Sequence, residues 1–118
     1  MKANELRIGN LVDWDEKTIR SKVKGIHPSG NYLHLDNGWV QLSRCEPILL
    51  TEEWLVRFGF EKLTKGGSIY KLKDFHVQDF SPLGIYECNN HIEIKYVHQL
   101  QNLYFALTGE ELKDNLVN

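Results

Sequence analysis

The chain has 118 residues, 42% of them hydrophobic and 25% charged, enough for one ordinary domain or two very small ones sharing a core. Its net charge of −2 excludes a global electrostatic pull toward nucleic acid or an acidic membrane. Charges in "MKANELRIGN" leave no apolar core for a secretory signal, and no apolar run approaches a membrane span, so a cytoplasmic protein is expected. The two cysteines, Cys45 and Cys88, lack C-x-x-C spacing, which fits a reduced compartment. Charge is unevenly spread: residues 1–47 carry seven Lys/Arg against six Asp/Glu, and residues 48–118 carry seven against ten.

Short strands with turns between them are expected first. "RIGNLVDW" supplies Ile8, Leu11, Val12 and Trp14. In "TIRSKVKGI", Ile19 and Val23 take one face and Arg20, Lys22 and Lys24 the other. "HPSGN" is a turn cluster. "YLHLDNGWVQLS" reads as a hairpin about an Asn37-Gly38 type I′ turn, in which both central residues need φ > 0. That turn sets Leu35 opposite Val40 and Leu33 opposite Leu42, with all four on one face. Tyr32, His34, Asp36, Trp39 and Gln41 collect on the other. So many strands in so few residues suggest a small SH3-like antiparallel barrel over residues 1–49; a longer meander or an open sheet also fits, and the barrel is preferred because so short a sheet must curl to enclose enough apolar surface.

At "LLTEEWLVRFGF" the period becomes helical. Thr51 is a good N-cap, and Glu52 and Glu53 suit the positive end of the helix dipole. Leu50 and Leu55 form a hydrophobic staple, and Gly59 ends the helix. Four strands are expected next, and a loop of odd length about Asn89-Asn90 puts Tyr86, Cys88, Ile92, Ile94 and Tyr96 on one face. The terminal helix presents Val97, Leu100, Leu103, Tyr104 and Leu107 as one stripe that covers the sheet. Thr108, Gly109, Glu110 and Glu111 are expected to end this helix and, as a capping box, to start another short one. Overall the chain reads as α+β: the barrel, then an α+β segment over residues 50–118 packed on it, without a flexible linker.

The strings "ELRIGNLV", "PILLTEEWLVRFGF" and "YVHQLQNLYFALTGEEL" resemble a family of small uncharacterised proteins encoded by gut bacteria, their prophages and their phages. They span both ends and the middle of the chain. The resemblance implies a mobile-element origin and an intracellular setting, and it transfers no catalytic residue. Cys45, in "RCEP", departs from the family's pattern.

No chemistry is legible as a motif. His27, His34, His76, His91 and His98 lack metal-ligand spacing, and there is neither a P-loop nor a G-x-G-x-x-G. No catalytic residue, metal or cofactor is expected. Cys88 lies on an apolar strand face, where a thiol packs rather than reacts. Asp13 and Asp15 share a strand face that would suit a cation, but "DWDEK" also reads as a turn. "TKGGS" has the composition of a phosphate cradle and equally that of an ordinary hairpin loop.

Two binding surfaces stand out. Arg20, Lys22 and Lys24 beside Tyr32 and Trp39 would hold phosphates and stack bases, as small barrels do with single strands; the bland reading is a solvated face. Phe105 falls on the polar side of the terminal helix, with His98 and Gln101, where an interface or the folded-back tail, Leu112, Leu116 and Val117, would cover it. The leading expectation is a non-enzymatic intracellular interaction module, in the form of a phage or prophage accessory protein acting on a host protein, or a self-associating chain. Nucleic-acid binding through the barrel is the first alternative, and a nucleotide-like small ligand the second.

Overall fold

The alternation of Leu33, Leu35 and Val40 against Tyr32, His34 and Trp39 does build a hairpin, and the rest of the chain follows in short antiparallel pieces. The computed structural model describes residues 1–16, 19–36, 38–80 and 83–115. The chain is α+β, mostly strands with a C-terminal helix, and none of its antiparallel sheets is closed. It divides into two units, residues 1–49 with 96–102 and residues 50–95 with 103–118. The expected boundary at residue 49 therefore omits the start of the last helix, which belongs with the first unit.

The first unit holds β1 (Leu11–Trp14), β2 (Ile19–Lys22), β3 (Gly25–Ile26), β4 (Tyr32–Leu35), β5 (Gly38–Gln41) and β6 (Cys45–Glu46). They form two three-stranded sheets, ordered β2-β1-β6 and β3-β4-β5. Residues 19–26 run through both. The amide of Val23 donates to Asn10 O and its carbonyl accepts from Gly9 N, while Lys24 N already donates to His34 O, each at 2.8 Å. Alternation slips at this crossing: Val23 and Ile26, three residues apart, both pack into the core. With them lie Leu6, Val12, Leu33, Leu35, Val40 and Cys45.

The hairpin's register differs from the expected one. Leu35 pairs with Gly38 rather than with Val40, and Leu33 with Val40 rather than with Leu42, so Gly38 belongs to the strand and not to the loop. Each cross-strand partner moves by two residues, which leaves every side chain on its expected face. Gly38 keeps the positive φ, +109°. Asn37 lies outside the described residues.

In the second unit, α1 (Glu52–Arg57) begins at Thr51, whose hydroxyl accepts from Trp54 N at 3.4 Å. Leu50 and Leu55 are both buried, as a staple requires, and Gly59 leaves the helix at φ +94°. Five strands follow rather than four: β7 (Glu61–Lys62), β8 (Ile69–Leu72), β9 (Phe75–Asp79), β10 (Tyr86–Cys88) and β11 (Ile92–Ile94), in the order β11-β10-β9-β8-β7. The extra one is a two-residue ladder against Tyr70 and Lys71. A three-residue turn joins β10 to β11, and Tyr86 pairs with Ile94 and Cys88 with Ile92 on one face.

The last helix, α2 (Val97–Thr108), ends where Gly109, at φ +75°, donates to Phe105 O. The expected further helix is absent among the described residues. Thr108 donates its hydroxyl back to Tyr104 O at 2.7 Å and accepts from Glu110 N at 3.1 Å, so it caps a C-terminus. Leu112 is buried, and Asp114 holds Arg57 in a bidentate ion pair; Leu116 and Val117 lie outside the described residues. No helix is long and apolar enough to cross a membrane among the described residues.

Candidate interaction surface

Because Leu33, Leu35 and Val40 point into the core, the neighbours Tyr32, His34 and Trp39 must point out. Across this open face of the β3-β4-β5 sheet four rings meet. His34 stacks on Trp39 with ring centres 5.1 Å apart at 28°. His27 stands edge-on to Trp39 at 5.6 Å and to Tyr32 at 5.9 Å. Gly25 lies opposite His34 under the indole, where a Cβ would meet His34 Cβ at 3.4 Å and Trp39 Cη2 at 3.8 Å, both ordinary contacts. The turn after β3 fixes His27: its Nδ1 accepts from Ser29 N at 3.1 Å, which leaves the proton of the neutral ring on Nε2. Trp39 is 54% exposed and Tyr32 38%. The platform is thus rigid from beneath and open above.

The basic strand does not join it as expected. Arg20 and Lys22 stand on β2, in the other sheet, and of the three only Lys24 adjoins this sheet, its amide donating to His34 O. Arg20 donates to the buried carboxylate of Asp13 at 3.1 Å, and Lys24 pairs with Asp36 at 3.2 Å. The slip at Val23–Ile26 divides the strand's charges between two sheets, and two of the three cations are neutralised locally. Asp13 and Asp15 do not converge either, because Asp15 turns away at φ +55° and meets Arg44 at 3.4 Å.

The polar side of α2 is not the open surface that a helical wheel predicts. His98 is 1% exposed and Gln101 3%, whereas Phe105 is 38% exposed and Leu107 54%. Gln101 is buried because it completes the main chain of the segment entering β1. Its Oε1 accepts from Leu11 N at 2.9 Å and its Nε2 donates to Gly9 O at 3.2 Å. Alongside, Asn10 Nδ2 donates to Asn102 Oδ1 at 2.8 Å, and Asn102 Nδ2 to Glu5 O at 2.9 Å. Of the expected interface His98, Gln101 and Phe105, only Phe105 remains at the surface. Asn10, wholly buried, was not singled out in the sequence. Its place three residues after Arg7, whose amide it caps at 2.7 Å, is the local signal for it.

His98 stacks on Tyr96, ring centres 5.9 Å apart at 9°, and neither of its ring nitrogens has a hydrogen-bond partner among the described residues. Burial pushes its pKa below the ordinary value, with Glu5 opposing. The unfolded chain therefore takes up the proton first as pH falls. Stability is level above about pH 6.5 and declines as pH drops toward the lowered folded value. His98→Phe replaces an unpaired polar ring by an apolar one. At pH 7.5 its urea midpoint should match or exceed the parent's, the difference staying within about 1 kcal/mol. At pH 5 it should exceed the parent's clearly. Parallel curves for the two proteins would place the imidazole in solvent.

The remaining chemistry is quiet. Both cysteines are free and buried; burial raises the Cys45 thiol and pushes that of Cys88 up to about 12, so neither is a thiolate at neutral pH. Among the described residues no three His, Cys, Asp or Glu side chains converge. In "TKGGS" the amide of Gly67 is spent on Thr64 O at 3.0 Å. Comparisons with family models, with curated proteins and with solved structures find no match to this chain.

Proposed function

We propose that this protein is a non-enzymatic interaction module and that it holds a partner protein on the face formed by His27, Tyr32, His34 and Trp39. The observation that carries this reading is the ordered exposure of two large aromatic rings on a sheet face whose other side is core. Aromatic rings fixed in advance bind at little entropic cost, and Trp and Tyr dominate interface energetics. The buried, protonated thiols support a non-catalytic role. The strand shared between two three-stranded sheets supports an SH3-like arrangement of the first unit. The resemblance to proteins of gut bacteria, prophages and phages supports an intracellular host protein as the partner, with inhibition of a host defence one form of it.

Nucleic-acid binding is the second reading, favoured by the stacked His34–Trp39 pair beside Lys24. The neutralised cations and the net charge of −2 weigh against it. Capture from a gut-bacterial lysate, with and without nuclease, separates the two. A nuclease-resistant protein held by the parent and lost by Tyr32→Ala/Trp39→Ala is the expected result. A catch that disappears with nuclease overturns the protein reading. In that case labelled single strands should bind at low salt below about 100 μM, with affinity falling steeply as salt rises.

A further inference from the structure

An open sheet edge is a template for another strand, and proteins shorten, charge or cover such edges. Among the described residues, the edges β3, β6 and β7 are two residues long. β2 is charged by Arg20 and Lys22, and β11 by Glu93. β5, the outer strand of its sheet, has neither protection: Gly38-Trp39-Val40-Gln41 is four residues long and uncharged.

The hydrogen-bond phase shows which groups are left at that edge. Leu42 N donates to Asn31 O at 2.8 Å. With Leu33 opposite Val40 and Leu35 opposite Gly38, pairs 31/42, 33/40 and 35/38 are the bonded ones. His34 and Tyr32 turn their carbonyls the other way, to Lys24 N and His27 N. The main-chain N–H and C=O of Trp39 and Gln41 consequently point out of the sheet. Among the described residues they are met there by the Cys45 thiol, which donates to Gln41 O at 3.5 Å.

We infer that β5 pairs antiparallel with β5 of a second copy of this chain, across a two-fold axis at Val40. Trp39 then stands opposite Gln41 of the second copy, and the two such pairs make four main-chain hydrogen bonds. The strand is complementary to itself in this register, because outward donors and acceptors meet and no charge faces a like charge. Each half-exposed indole is covered by Gln41 of the other copy, with Tyr32 of that copy next in the same row. Four residues per copy bury less than the roughly 1,000 Å² of a stable interface, so the dimer is weak and its halves exchange. This pairing goes beyond the interaction reading and does not rest on it.

Sedimentation equilibrium of the full chain, from about 10 μM to about 1 mM, tests it in the range of weak contacts. The mass should rise from 13.8 kDa toward twice that value. Gln41→Pro is the discriminating variant. Residue 41 has φ −59°, within proline's range, so the substitution fits while deleting the outward N–H. It removes two of the four bonds and should weaken association about tenfold or more. Hydrogen exchange of the parent provides an independent readout should that variant not fold: the amides of Trp39 and Gln41 should gain protection with concentration. A monomer at about 1 mM overturns the pairing, and so does protection at Trp39 and Gln41 that concentration leaves unchanged. If the edge is protected only when a captured protein is bound, its occupant is an extended segment of that protein and not a second copy.

Discussion

Phe75→Ala is expected to cost about 4 kcal/mol, in the upper part of the range for core truncations. Phe75 opens β9, is 2% exposed, and stands edge-on between two other rings. Phe60 lies 6.1 Å away at 72° and Tyr104 of α2 5.3 Å away at 62°. Its removal forfeits the transfer energy of a whole side chain. It also loses two favourable ring geometries, each worth roughly 0.5–1.5 kcal/mol, and leaves a cavity that three elements would have to close. Against a total stability of about 5–15 kcal/mol that is enough to bring unfolding near ambient conditions. Phe75→Leu, which keeps most of the volume, should cost clearly less. Urea unfolding gives both values. Equal small losses would mean that the three-ring packing is absent.

Gln101→Ala should cost about 3 kcal/mol, although the residue looks like ordinary helix surface in the sequence. Truncation leaves Leu11 N–H and Gly9 C=O without partners in a buried place, each worth roughly 1–3 kcal/mol, and opens a small void. Gln101→Leu separates the two contributions. It restores volume and not hydrogen bonding, so most of the loss should remain. A melting temperature within a few degrees of the parent's for both variants would return Gln101 to the solvent face.

Much of the architecture was legible because it depends on local chemistry. Thr51 with two glutamates wrote the start of α1, and Gly59 its end. Parity alone put Leu33, Leu35 and Val40 inside, and a turn of odd length put Tyr86, Cys88 and Ile94 on one face. The same parity explains what was hidden. Moving the hairpin loop by one residue leaves every face unchanged, so the hydrophobic pattern has no power to choose between the two registers. In α2 Val97, Leu100 and Tyr104 are inside as the wheel requires, but the buried side also takes in His98 and Gln101 and leaves out Leu107, for a different reason. A wheel scores Gln101 and His98 as polar, yet Gln101 is paid in hydrogen bonds by main-chain groups some 90 residues earlier, which no periodicity reports. The candidate surface was legible in its aromatic half, Tyr32 and Trp39, because alternation places them. Its basic half was not, because one slipped residue near Lys24 sends Arg20 and Lys22 to another sheet.

The reach of those hydrogen bonds also bears on how the protein is made. Leu11, Gly9 and Asn10 leave the ribosome some 90 residues before Gln101 and Asn102. Between them the entire sheet of the second unit must emerge. Synthesis proceeds at about 5–20 residues per second, so the strands of the first unit wait for seconds with donors and acceptors that only α2 can satisfy. Contacts this distant in sequence also bear the full entropy of closing the intervening loop, which slows folding. The strands of the first unit are thus synthesised before the sheet of the second and completed only after it. During that interval the uncharged edge of β5 has no finished structure behind it, which makes the nascent chain, rather than the mature one, the form most exposed to mispairing.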